Sequence, residues 1–184
     1  EDLKNSEADA ALIKEGIDWK ELGLRGALVL GNSKYALSKI THLFEEPLDV
    51  WEGVHPTAVV ADSAVIGANT SIGPFCVISD RVKIADNSII LSHVCIGSDT
   101  EIGEKALIYQ GVKLGSKVKI GDNFIAHQNV VIGCDGFSFV SPSLNSVGSL
   151  TNFDDDKKDK DESSVHVRVA SLGSVHIGDN VEVG

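Results

Sequence analysis

The residues best suited to chemistry lie close together near position 130. His127 is a histidine, the side chain most often used as a general base near neutral pH. Shortly after it come Asp135, Gly136, Phe137 and Phe139. The two phenylalanines are expected either to line an apolar groove or to anchor the base of the loop that follows them.

The cysteines and the other histidines predict neither a disulfide framework nor a zinc site. Cys76, Cys95 and Cys134 are odd in number and widely spaced. Cys76 occupies an inward position of the repeat described next, so we expect a small core residue rather than a nucleophile. No metal and no cofactor are expected. Four histidines are predicted at the surface or at corners: His42, His55, His166 and His176.

A repeat of six residues must position these side chains. Between Val54 and Ile132 every sixth residue is Val, Ile or Leu, with Ala126 as the exception. A period this short indicates a solenoid of small identical units. The fifth position of each hexad is small or β-branched, with Phe124 as the exception. Residues four apart in extended chain point to one side, so both positions should fill one narrow interior.

The second position of the hexad is often glycine, and Asn or Asp often follows it; we expect these residues to provide the φ > 0 geometry of a sharp corner. Alternating short strands and corners predict a parallel β-helix in which three hexads close one coil. The fold class is therefore all-β, with residues 51–184 forming the β-helix.

A long insertion interrupts the hexads at about 137–172. It contains an acidic run at 154–162 and is expected to be an exposed loop. The hexad resumes at Ile177 and is cut in mid-repeat at Gly184, so native sequence is expected to continue.

Residues 1–50 lack the hexad and predict a small α/β segment, either the remnant of a uridine-binding domain or a cap on the β-helix. Since no methionine is present, a processed or trimmed protein is expected. The expected elements are a short helix at 10–13, a buried strand at 26–31, and a helix that begins at Asn32 or Ser33 and ends before Pro47.

Composition excludes two classes of partner. The net charge of −11 argues against nucleic acid, which requires an excess of Lys and Arg. No apolar run approaches the roughly 20 residues that a transmembrane helix needs.

The repeat [LIV]-G-x-x-[small]-x resembles the left-handed β-helix of the hexapeptide acyltransferase superfamily. This resemblance, and not the general preference for right-handed crossovers, implies the left hand. It also implies a homotrimer with active sites in the clefts between neighbouring helices.

A narrower resemblance rests on three segments. The opening H-P-T-A-V-V at 55–60, the segment V-I-G-C-D-G-F-S-F at 131–139 and the return G-S-V-H-I-G-D-N-V-E-V-G at 173–184 are similar to UDP-3-O-acylglucosamine N-acyltransferases of lipid A synthesis. The acidic run makes the loop longer than the bacterial pattern. A plant organellar member, located in mitochondria, is therefore one expectation, and a cytoplasmic bacterial protein is the other.

The resemblance implies transfer of a 3-hydroxyacyl chain from acyl carrier protein to the 2-amino group of a UDP-3-O-acylglucosamine. The family's catalytic histidine lies in an I-A-H-N coil after an I-D-R-G segment, and both are expected beyond Gly184. His127 is thus a weak candidate for the base. The candidate substrate-binding residues are Asp135, Gly136, Phe137, Phe139 and Tyr35. Tyr35 faintly resembles a uracil-stacking tyrosine, although a role in helix packing is preferred.

An acidic carrier protein would need a local basic patch on this acidic chain. The candidates are Arg81, Lys83, Lys113, Lys117 and Lys119. The sequence does not show whether these residues lie on the same face of the β-helix. Two alternative functions are the related UDP-N-acetylglucosamine O-acyltransferase and a non-catalytic trimeric scaffold.

Overall fold

The computed structural model describes residues 6–140 and 167–184. The chain forms two compact units, Glu1–Asp49 and Val50–Gly184. The predicted acidic loop at 154–162 and His166 lie outside the described residues. The one helix that the described residues contain is too short to cross a membrane.

The first unit consists of strands β1 (Ala10–Lys14) and β2 (Gly26–Leu30) and helix α1 (Ser33–Leu43). The second helix was predicted correctly, and Asn32 caps it by accepting a hydrogen bond from the Tyr35 N–H. The strand at 26–31 was also predicted, but not its exposure, since Leu28 and Val29 are exposed. The predicted helix at 10–13 is wrong, since β1 pairs in parallel with all of β2. The ladder of backbone hydrogen bonds with a distant segment outweighs the weak helix propensity of so short a run.

The second unit is a parallel β-helix, as the hexads predict. Its strands are two residues long and are paired in parallel. They are β3 (Val59–Val60), β4 (Val65–Ile66), β5 (Ser71–Ile72), β6 (Val77–Ile78), β7 (Lys83–Ile84), β8 (Ile89–Ile90), β9 (Cys95–Ile96), β10 (Glu101–Ile102), β11 (Leu107–Ile108), β12 (Lys113–Leu114), β13 (Lys119–Ile120), β14 (Ile125–Ala126), β15 (Val131–Ile132), β18 (His176–Ile177) and β19 (Glu182–Val183), with β16 (Phe139–Val140) and β17 (Val167–Arg168) lying between β15 and β18.

The strands form three five-stranded faces joined by three corners. Face 1 contains β4, β7, β10, β13 and β18; face 2 contains β5, β8, β11, β14 and β19; face 3 contains β3, β6, β9, β12 and β15. We call the corners after faces 1, 2 and 3 corner A, corner B and corner C. The left hand of the helix stays a prediction from the resemblance.

Stacked aliphatic side chains fill the interior. Ile72, Ile90 and Ile108, one above another in face 2, are at most 1% exposed. The inward hydroxyls are satisfied by the neighbouring coil, as when Thr100 Oγ1 donates to the Gly115 carbonyl at 2.8 Å. Cys76 is a buried core residue, and burial raises the pKa of its thiol, so it is not primed as a nucleophile.

The two exceptions to the repeat compensate each other. Phe124 is large where the other hexads are small, and Ala126, two residues later, is small where the others are large. Both side chains are 0% exposed. Because they point to the same side of β14, the ring occupies volume that an isoleucine at 126 would otherwise fill.

Residues at the fourth position of the hexad, and not the glycines at the second, have positive φ. In the described coils only Gly133 among the second-position glycines has φ > 0. The prediction of positive φ is therefore wrong for most of these glycines, and it is correct for Asn and Asp residues that follow them, such as Asn69, Asp99 and Asn123. The non-glycine residues with positive φ are Asn69, Phe75, Arg81, Asn87, His93, Asp99, Lys105, Lys117, Asn123, Asn129 and Asn180.

At several second positions glycine is needed because consecutive coils approach closely there. A Cβ on Gly97 would lie 2.7 Å from the Gly115 carbonyl carbon and from the Ser116 nitrogen. The requirement is for space between backbones, which a single hexad does not reveal.

The insertion leaves the coil geometry unchanged. Lys119 pairs with His176, which lies 57 positions later in the sequence. Residues stacked in other adjacent coils are 18 positions apart. The insertion therefore enters and leaves at corner C, between β15 and β18, without changing which residues face inward.

We predict that Phe124 and Ala126 are energetically coupled. Phe124→Val should destabilise by about 2 kcal/mol or more through a cavity, and Ala126→Ile by about 1–3 kcal/mol through overpacking. The double variant should be more stable than the sum of the two losses implies, as measured by urea unfolding. Strict additivity would contradict the shared volume.

We also predict that Gly97→Ala destabilises by about 1–3 kcal/mol, because the new methyl group would overlap the backbone of the next coil. Gly73→Ala is the matched comparison at the same hexad position, where the nearest backbone atoms would lie 3.1 Å from the Cβ and the loss should be smaller. The two thermal midpoints, measured in parallel, should differ by several degrees. Equal midpoints would show that coil spacing does not select glycine.

Candidate functional site

The candidate site begins where the chain leaves the β-helix at corner C. The pairing of β16 with β17 is antiparallel, with Phe139 opposite Arg168. The Val169 N–H also donates to the Ser138 carbonyl at 2.9 Å. These contacts form a two-stranded stem that holds the two ends of the insertion together.

Asp135 and Gly136 take part in this stem. Asp135 Oδ2 lies 3.3 Å from Arg168 Nη2, which also donates to the Gly136 carbonyl at 3.4 Å. The Gly136 N–H donates to Ser171 Oγ at 2.9 Å. Both predicted substrate-binding residues therefore have contacts within the chain, and their role towards a substrate stays a prediction.

Phe137 and Phe139 stack edge to face at the foot of the stem. Their ring centroids are 4.9 Å apart. Phe137 is 94% exposed and Phe139 is 45% exposed. The pair is thus an apolar surface beside the loop, and only the backbone of Phe139 is used to hold the stem.

His127 lies at the start of corner B, away from the stem. Its Nε2 is 2.6 Å from Glu182 Oε1, and its ring stacks on Tyr109 with centroids 5.4 Å apart. A carboxylate and an aromatic ring thus fix the orientation of the imidazole. Histidine oriented by a carboxylate is an arrangement able to accept a proton.

The five predicted cations share one edge of the β-helix, around corner C. In one coil Arg81 forms two hydrogen bonds with Asp99, the shorter of 2.6 Å, and Lys83 is 2.8 Å from Glu101. These hydrogen bonds lower the pKa of both carboxyl groups. That part of the edge is therefore neutralised.

The coil formed by β12 and β13, which lies directly below the insertion, keeps its positive charge. Lys113, Lys117 and Lys119 are all exposed there, and the shortest ion pair among them joins Lys119 to Glu101 at 3.9 Å. Lys113 donates to the Gly111 carbonyl. Three cations therefore surround corner C at the foot of the stem.

Tyr35 belongs to the first unit. It lies in the first turn of α1, 63% exposed, with Lys39 Nζ 5.5 Å from its ring centroid. Among the described residues no group of three or more His, Cys, Asp and Glu side chains is arranged to hold a metal.

Sequence reasoning missed the partners of the candidate residues. Glu182 belongs to the return motif, whereas Tyr109, Arg168 and Ser171 lie in no motif of the sequence. Glu182 is 55 positions from His127, and Ser171 is 35 from Gly136. Only the register across the insertion brings them together.

The chain is similar to one family model and to curated proteins that share one name. A family model described as "GMPPB C-terminal domain" matches residues 52–135, within the β-helix. The chain is 46% identical over 184 residues to UDP-3-O-acylglucosamine N-acyltransferase of Ruegeria pomeroyi, covering 100% of the chain and 50% of that protein. It is 47% identical over 181 residues to the same enzyme of Paracoccus denitrificans, covering 98% of the chain and 50% of that protein.

Two solved structures show more limited similarity. One is Arabidopsis UDP-N-acetylglucosamine acyltransferase, with TM-score 0.40 and 32% identity, covering 43% of this chain and 29% of that one. The other is a single-residue variant of GDP-perosamine N-acetyl transferase from Caulobacter crescentus, with TM-score 0.34 and 19% identity, covering 61% of this chain and 63% of that one.

The alignments with the two bacterial enzymes cover 98–100% of the chain and therefore include the hexads, the insertion and the return. The relatives that match the chain over 98–100% of its length, at 46–47% identity, are thus UDP-3-O-acylglucosamine N-acyltransferases, and the chain spans about half the length of these curated relatives.

Proposed function

We propose that the protein transfers a 3-hydroxyacyl chain from acyl carrier protein to the 2-amino group of a UDP-3-O-acylglucosamine in lipid A synthesis. The observation that carries this proposal is the identity of 46–47% along 98–100% of the chain to proteins with that name. Because those relatives are bacterial, we place the protein in the bacterial cytoplasm. They give no support to a mitochondrial location.

In the proposed reaction the sugar amine attacks the thioester carbonyl carbon. A base accepts the amine proton, the carbon–sulfur bond breaks, and the carrier thiol leaves as the amide forms. A backbone N–H at a coil would stabilise the oxyanion. The base is not assigned among the described residues.

The apolar pair Phe137 and Phe139 is our candidate for contact with an acyl chain. Phe137 is almost completely exposed although it is large and apolar, which favours a ligand-contacting role over a core role. Asp135 and Gly136 would then position this pair through the stem. In the first unit, the exposed ring of Tyr35 is available to stack on the uracil of the substrate.

Acyl carrier protein is the proposed acyl donor, and Lys113, Lys117 and Lys119 are its proposed docking residues. Carrier proteins are acidic, so an encounter with a chain of charge −11 requires a local patch of opposite sign. These three lysines supply such a patch at the foot of the stem, close in the fold to the phenylalanine pair.

A hybrid enzyme tests the function. Residues 1–184 would replace the matching half of the Ruegeria pomeroyi relative, and the hybrid would be incubated with 3-hydroxyacyl carrier protein and UDP-3-O-acylglucosamine. We expect consumption of the thioester and a product acylated on nitrogen, identified by mass spectrometry. Phe137→Asp should lower turnover at least tenfold if the ring contacts the acyl chain, which corresponds to about 1.4 kcal/mol.

Phe75→Asp is the matched control, since Phe75 is an exposed aromatic residue at a different corner. It should leave turnover unchanged. Acylation of a hydroxyl of UDP-N-acetylglucosamine would instead favour the O-acyltransferase. A folded hybrid that transfers no acyl group, beside an active Ruegeria enzyme, would favour the scaffold.

We further propose that the protein forms a homotrimer through face 2. In three successive coils the outward residues of this face are Ile89, Leu107 and Ile125, which lie between Ser71 of β5 and Glu182 of β19. The outward residues of face 1 include Lys83, Glu101 and Lys119. An uncharged apolar ladder is better suited to burial against another copy than a charged one.

Leu107→Glu should convert the trimer to a monomer, because it places a charge in the centre of the proposed interface. Val65→Glu is the matched control, at the same hexad position but in face 1, next to Lys83. Light scattering after size exclusion should give three times the mass of one chain for both the natural protein and the control. A monomeric natural chain would refute the trimer, and a trimeric Leu107→Glu variant would refute the face.

A further inference from the structure

The coil that re-enters the β-helix after the insertion is joined to the coil below it by backbone and side-chain hydrogen bonds, one of which runs from the Asp122 N–H to Asp179 Oδ1 at 2.8 Å. Backbone bonds run from the Ile125 N–H to the Val181 carbonyl at 2.9 Å and from the His127 N–H to the Val183 carbonyl at 2.8 Å. At corner A, Asn123 Nδ2 donates to Asn180 Oδ1 at 3.2 Å. The contact between His127 and Glu182 is the corresponding side-chain link at corner B.

The link at corner B differs from the one at corner A because it can change charge. Asparagine side chains do not titrate, whereas histidine changes charge between about pH 5 and 8. His127 Nε2 lies 2.6 Å from the Glu182 carboxylate, and its ring lies nearly parallel to Tyr109, at 18°. When the imidazole is protonated, its contact with Glu182 becomes an ion pair and its contact with Tyr109 gains a cation–π attraction.

The imidazole is enclosed on the side of the re-entering coil as well. A Cβ on Gly184 would lie 3.3 Å from His127 Cδ2, so the ring occupies the space beside this glycine. The ring therefore contacts the coil below it through Tyr109 and the coil above it through Glu182 and Gly184. Its position depends on both coils being in register.

We propose that His127, Glu182 and Tyr109 form a pH-sensitive clamp, which holds the re-entering coil more tightly when the imidazole is protonated. The titratable groups that face the ring are Tyr109 from the end of β11 and Glu182 from β19; within its own coil its neighbours Ala126 and Gln128 carry no charge.

Hydrogen exchange of the Ile125 and His127 amides measures the clamp directly, since carbonyls of the re-entering coil protect both. The Leu107 amide, bonded to the Phe124 carbonyl one coil below, is the internal reference. After correction for intrinsic rates, protection relative to Leu107 should be about two- to fivefold greater at pH 6 than at pH 8, the range expected of a partly exposed ion pair.

Two variants should abolish this pH dependence. His127→Gln keeps a hydrogen-bond donor but cannot be protonated, and Glu182→Gln keeps an acceptor without charge. Asn180→Gly is the matched control, because it removes the uncharged link at corner A and tolerates the positive φ of that position. It should lower protection at both pH values and leave their ratio unchanged.

Two outcomes would overturn the clamp. One is equal relative protection of the natural chain at the two pH values. The other is a His127→Gln variant that keeps the pH dependence of the natural chain.

Discussion

The stacking of identical coils is the constraint on which the rest of the β-helix depends. Each strand is two residues long and could not persist alone, so its backbone groups are satisfied only by the strands above and below it. Every coil must then contain the same number of interior positions, and each interior column must accept the same kind of side chain. The hexad, the glycine at its second position and the positive φ at its fourth all follow from this geometry.

The same constraint explains how the chain contains a long insertion. An extra residue within a strand would turn every later side chain to the wrong face, whereas extra residues at a corner leave the register intact. Lengthening the connection from 18 to 57 positions adds only about 1 kcal/mol of loop-closure entropy. The stem and the contacts of the re-entering coil are sufficient to offset a penalty of that size.

The sequence predicted those features that repeat and failed where two distant segments meet. The parallel β-helix, the burial of Cys76 and the site of the insertion were all visible in the period. The strand at β1 was not, because its conformation depends on β2. The close approach at Gly97 belongs to a neighbouring coil, and the pairing of His127 with Glu182 depends on a register that the insertion hides from any local pattern.

Phe124 and Ala126 show that the hexad constrains a volume and not two separate positions. Each residue, considered alone, departs from the repeat, although together they fill the coil. Such positions are expected to change together during divergence, since an intermediate with only one change is either overpacked or hollow. Scoring each position independently would therefore underestimate how well such a coil fits the fold, and paired substitution is the better criterion for detecting remote β-helices of this kind.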